Sequence, residues 1–172
     1  MAGSLLCAGI GSYHDVRERR IPNTLTGPAM VAGLLLHLWV GGWAQMGASA
    51  LAGLIAGGIF LVLYLAGGMG AGDVKLMTAV GCLAGLSSLR LVMVATVLSG
   101  GVFALALALY RGRLRQTVRN VFALIAHHRR SGLTPHPELN LGNTATLRLP
   151  FALPIAAGCL VTVCALAWEH GL

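Results

Sequence analysis

Acidic side chains are scarce in this sequence, so each one invites a reason. There are five: Asp15, Glu18, Asp73, Glu138 and Glu169. Asp15 and Asp73 are the aspartates. A pair of carboxylates can hydrolyse a peptide bond when one is ionised and the other protonated. The first takes a proton from water and the second polarises the carbonyl. Each aspartate also has a structural use. Asp15 can pair with Arg19 at i+4, and Asp73 precedes an apolar run where it can cap a helix. Both border apolar stretches, and a carboxylate at a membrane boundary is costly unless it is paired or functional.

The elements that must hold these carboxylates are membrane helices. The chain is 56% hydrophobic and only 10% charged, against about 25% charged in an ordinary soluble domain. Its mean hydropathy is +0.79. These values predict an all-α fold, a polytopic bundle of about six transmembrane helices in one domain over residues 1–172. The apolar spans read as residues 2–13, 25–40, 48–66, 74–86, 89–110 and 149–168. The first is short, covering roughly 18 Å of a bilayer core of about 30 Å. Either its helix continues through Asp15 or the membrane thins there. The fourth and fifth spans are separated only by Gly85, Ser87, Ser88 and Arg90.

Charge placement orients the bundle. The net charge is +7, but its basic residues cluster in loops between apolar spans, a pattern that argues against nucleic acid as partner. Arg17, Arg19, Arg20, Lys75, Arg111, Arg113, Arg115, Arg119, Arg129, Arg130 and Arg148 fall on one side, and only Arg90 on the other. The positive-inside rule then puts the N-terminus outside and both aspartates at cytoplasmic ends of spans. Removing the break near Gly85 would put the basic loop outside, so the charge count supports that break.

The basic loop, residues 111–148, has its own pattern. Leu114, Val118, Val121, Phe122 and Ile125 recur at helical spacing among arginines. This predicts an amphipathic helix, lying either on the anionic inner leaflet or against the bundle with a solvated basic face. Ser131 to Asn143, with Pro135 and Pro137, reads as an irregular linker. Gly53 and Gly57 stand at GxxxG spacing, which predicts close helix packing. Cys7, Cys82, Cys159 and Cys164 all lie in apolar stretches without a CxxC pair and read as packing residues. No basic n-region opens the chain, so no cleaved signal peptide is expected. His14 adjoins Asp15, but neighbours on a helix point to different faces, and no metal or cofactor is expected.

The strongest motifs surround the aspartates. One stretch reads Asp15-Val16-Arg17-Glu18-Arg19-Arg20-Ile21-Pro22-Asn23, and the other Gly70-Ala71-Gly72-Asp73-Val74-Lys75-Leu76-Met77. An aspartate followed six residues on by Ile-Pro-Asn, then a GxGD continuing into Val-Lys, resembles the type IV prepilin peptidase family of membrane aspartic proteases. The segment Leu149-Pro150-Phe151-Ala152-Leu153-Pro154 is similar to the Pro-aromatic opening of that family's last helix. Larger members also carry a cytoplasmic domain with paired CxxC motifs and methylate the new N-terminus. This chain more closely resembles the short, peptidase-only members that process tight-adherence (Flp-type) pilins.

The resemblance implies an aspartic endopeptidase of the bacterial inner membrane with Asp15 and Asp73 as the catalytic pair. Either can begin as the base. Its protein partner would be a prepilin or pseudopilin precursor, cut at the cytoplasmic edge of the bilayer, and pilus-assembly proteins are further candidate partners. Gly70 and Gly72 would let a substrate strand approach Asp73 and would admit φ > 0. Lys75 would anchor at lipid phosphate or restrain Asp73. Ile21, Pro22 and Asn23 would aim Asp15, with Asn23 or Thr24 capping the second span. A preflagellin peptidase or another GxGD protease is an alternative. The presenilin-like class expects a Tyr adjacent to the aspartate, whereas Tyr13 stands two residues from Asp15. A small ion- or proton-coupled transporter is the non-enzyme alternative, although no internal repeat is evident.

Overall fold

The computed structural model describes residues 1–112, 114–131 and 151–169. Arg113, residues 132–150 and residues 170–172 lie outside the described residues. With them go most of the expected linker with Pro135 and Pro137, and also Glu138 and Arg148. The described residues form five helices: α1 (Ala2–Glu18), α2 (Asn23–Leu65), α3 (Ala71–Tyr110), α4 (Leu114–Ser131) and α5 (Ala152–Glu169). Three of them, α2, α3 and α5, are long and apolar enough to cross a membrane.

α2 and α3 are each two helices joined at glycine. Non-helical torsions interrupt α2 at Gly41 and Gly42 (φ 66°), and α3 at Gly85 (φ 72°). Positive φ is accessible to glycine at little cost. Packing shows how far the chain turns. A Cβ added at Gly33 would lie 2.7 Å from the Cys82 carbonyl carbon, and one at Gly53 would collide with the Cys82 sulfur. A straight helix would set these two glycines about 30 Å apart. Both reach Cys82 because α2 folds back on itself at Gly41–Gly42. The same logic turns α3 at Gly85. Leu76, before the break, packs at Gly11 of α1, and Gly100, after it, packs at Phe151 and Pro154 beside the start of α5. Ser12 of α1 in turn bonds Ala152, so Leu76 and Gly100 stand at nearby levels of the bundle. The break expected near Gly85 is therefore present, and it falls at the glycine itself.

Small residues make the close packing possible. Gly53 and Gly57 press α2 against Cys82 and Thr78 of α3, as GxxxG spacing predicts. Ser49 Oγ donates to the Cys82 carbonyl at 2.6 Å. The core gathers Ala52, Ala56, Phe60, Leu76, Met77, Val80, Val92 and Ile155. Cys7, Cys82 and Cys159 are buried and free, whereas Cys164 is exposed.

α1 runs unbroken through Asp15 to Glu18. The first of the two readings of the short span therefore holds. α4 is helical as its periodicity predicts. Leu114, Val118, Val121 and Phe122 remain partly exposed along its apolar face.

Candidate active site

Asp15 arrives on the last turn of α1. Arg19 ends that helix in the left-handed region (φ 52°), and its N–H returns to the Asp15 carbonyl. Among the described residues no ion pair joins Asp15 to Arg19; His14 faces Glu18 instead, at 3.7 Å. The Asp15 carboxylate is thus left to the space beyond the helix end.

Asp73 arrives on the first turn of α3, ahead of the apolar run that starts at Val74. It is not the N-cap that its position suggests. Gly70 caps the helix and Asp73 stands at N3. The Asp73 N–H donates to the Gly70 carbonyl at 3.1 Å, and the Gly70 N–H donates to Asp73 Oδ2 at 3.2 Å. This reciprocal pair fixes the carboxylate by its own loop. Gly70 itself has an ordinary φ of −86°. The positive φ in this turn falls at Gly67 (78°), and Gly72 is not among the left-handed glycines. Gly72 is needed for space: a Cβ there would come 3.3 Å from the Ile21 side chain.

The two segments meet around one cleft of about 560 Å³. Every expected site residue lines it: Asp15, Ile21, Pro22, Asn23, Gly70, Gly72, Asp73 and Lys75, joined by Glu18, Arg19, Arg20 and Ala71. Pro22 takes an extended conformation and precedes the first residue of α2, with no side-chain cap. Asn23 does not cap that helix. Its Oδ1 instead accepts a hydrogen bond from Lys75 Nζ at 2.9 Å, across the cleft mouth. Lys75 therefore ties the two aspartate-bearing segments together.

One contributor is hard to see in the sequence. The backbone N–H of Ala152, the first residue of α5, faces the Asp15 carboxylate. A helix start offers unsatisfied N–H groups and the positive end of the helix dipole. The only sequence signal was the Pro-aromatic segment around Phe151, whose ring packs edge-on against Phe60 at 6.0 Å.

The electrostatics suit a shared proton. Burial pushes the Asp15 carboxyl above its ordinary value, and the Ala152 N–H directed at it only partly offsets that. Asp73 is 8% exposed and lies within electrostatic reach of Asp15. Burial first, and then the charge of Asp15, push the Asp73 carboxyl up to about 6, and the Gly70 N–H only partly offsets them. One carboxylate can then activate water while the other protonates or polarises an oxygen. Among the described residues, no group of three or more His, Cys, Asp or Glu could hold a metal ion.

The model of the type IV leader peptidase family matches residues 2–105, a region that carries both aspartates. A prepilin leader peptidase/N-methyltransferase of Burkholderia pseudomallei (strain 1026b) is 37% identical over 120 residues, covering 64% of this chain and 38% of that protein. A protein of the same name from Aeromonas salmonicida (strain A449) is 36% identical over 110 residues, covering 58% of this chain and 36% of the other. The match thus spans well under half the length of either relative. No solved structure matches the chain. With the family match running through both aspartate-bearing segments, the chain belongs to the type IV leader peptidase family.

Proposed function

We propose that the protein is a membrane aspartic endopeptidase that removes the leader peptide from type IV prepilins, of the Flp type, at the cytoplasmic membrane face. The observation that carries this reading is the convergence of Asp15 and Asp73, 58 positions apart in sequence, on one open cleft. The cleft sits at helix ends, where an extended substrate segment can enter. In the cleavage step, water held between the carboxylates gives a proton to the ionised one and attacks the scissile carbonyl. The protonated partner supports the developing oxyanion and then protonates the leaving amine. Lys75 and Asn23 hold the two segments in register. The Flp-type assignment rests on the sequence resemblance to short members, and the proposal covers peptide cleavage alone.

The proposal includes six membrane crossings with the N-terminus outside. The fold-backs at Gly41–Gly42 and Gly85 divide α2 and α3 into two rods each. Trp39, Trp43 and Trp168 are 87%, 75% and 86% exposed, and all stand at the bundle end away from the aspartates. Tyr13, Tyr64 and Tyr110 stand toward the aspartate end. Such girdles mark the two membrane interfaces. α4, with Arg115 and Arg119 along one edge of its apolar face, is suited to an anionic inner leaflet.

Co-expression with an Flp-type prepilin in a bacterial membrane tests the reading through leader loss and the N-terminal mass of the product. Asp15→Asn and Asp73→Asn are each expected to lower cleavage by at least about 10²-fold at unchanged membrane levels. Cleavage that survives in either variant defeats the aspartyl mechanism.

A further inference from the structure

We propose that Ser12 is a positioning residue for Asp15: its buried hydroxyl fastens the first residue of α5 to α1 and so keeps the Ala152 N–H facing the carboxylate. The inference rests on the aspartyl reading for its link to cleavage.

Ser12 lies three residues before Asp15 on α1 and is 5% exposed. Its Oγ is 2.8 Å from the Ala8 carbonyl of its own helix and 2.7 Å from the Ala152 carbonyl of α5. A hydroxyl has one proton, so these acceptors share it. A serine that bonds only its i−4 carbonyl gains little from burial; the second acceptor ties two helices together. Ala152 is fully buried. Its carbonyl faces Ser12 and its N–H faces Asp15, so one alanine is held from both ends by α1. On the adjoining residue, Gly11, a Cβ would come 2.9 Å from Leu76 Cδ1 of α3. The end of α1 is therefore clamped between α3 and α5.

The charged groups around Asp15 come from three places. α3 supplies Asp73 and Lys75, α1 supplies His14, Glu18 and Arg19, and the connection to α2 supplies Arg20. At its first turn α5 presents Ala152, Leu153, Pro154 and Ile155, so its contribution there is the backbone N–H. A donor to the ionised carboxylate favours the charged form. Loosening Ala152 therefore makes Asp15 hold its proton more tightly.

Ser12→Ala and the near-isosteric Ser12→Cys, each in the full chain in native-lipid membranes, test this in two ways. The first needs no substrate. The difference in thermal midpoint between a protein with Asp15 and its Asp15→Asn counterpart, followed against pH, reports the Asp15 proton. In either Ser12 variant that difference is expected to keep climbing to higher pH than in the wild-type background before it levels off. The second readout is prepilin cleavage against pH, expected to fall by up to about tenfold, with its profile displaced toward higher pH and KM unchanged. A Ser12 variant whose Asp15 titration matches wild type overturns the inference, even if its expression drops. Loss of cleavage without a displaced profile does the same. If Asp15→Asn still cleaves, the aspartyl reading fails, while the thermal titration continues to judge Ser12 by itself.

Discussion

Asp15 and Asp73 occupy different environments, and the difference has a measurable sign. Asp15 holds its proton more tightly in the folded protein than in the unfolded chain, because burial penalises its charge. Its contribution to stability is therefore greatest below the ordinary carboxylate value and is lost as pH rises through the raised one. Asp15→Asn cannot ionise. Its thermal midpoint relative to wild type is expected to climb across that window and then level off, while cleavage is absent. A flat difference across that window would mean that Asp15 titrates as it does in water. Both aspartates were legible in the sequence because two uncommon residues carried uncommon flanking motifs. The finer roles were not. Asn23 looks like a cap from local sequence, yet its acceptor goes to Lys75, a partner 52 positions away. Gly70 and Gly72 suggested positive φ. The turn places that strain at Gly67, because the capping pair at Gly70 and Asp73 requires an extended Gly70.

Helix pairing here depends on missing side chains. Gly33, Gly53 and Gly81 all sit where an added Cβ would meet the backbone or the sulfur of a neighbouring helix. Backbone cannot step aside as the end of a flexible side chain can. Gly33→Leu and Gly53→Leu are expected to destabilise the bundle by at least about 1–3 kcal/mol, the usual range for overpacking. Gly58→Leu, on the same helix, meets nothing within 4 Å and serves as the control. Thermal midpoints in a mild detergent, normalised to Gly58→Leu, check this ranking; equal midpoints would contradict it. The GxxxG spacing predicted the contact at Gly53 and Gly57. The Gly33 contact was not legible, because its partner is a carbonyl that no sequence pattern marks. α1 through Asp15 was open between two readings, since hydropathy stops at Tyr13 while helical hydrogen bonding continues to Glu18.

At the scale of the whole molecule, hydropathy and charge predicted an all-helical bundle of apolar spans, and five described helices form it. How the spans are joined was less legible. A hydropathy trace expects loops at residues 41–47 and 87–88, whereas the helices turn at Gly41–Gly42 and Gly85 with almost no chain between them. Membrane-impermeant thiol labelling tests the orientation proposed above in a background with Cys164→Ser. A cysteine at Gly42 is expected to react from the outside and one at Gly112 only after the inner face is opened. The reverse pattern would invert the topology. Turns this short also bear on biogenesis. The α3 segment before Gly85 covers roughly 21 Å at 1.5 Å per residue, less than the bilayer core. It has no polar tether to park outside while its partner is being synthesised. Such a segment is expected to enter the bilayer together with the one that follows, as a preformed hairpin, and to wait in the ribosome-bound insertion machinery until both halves have emerged.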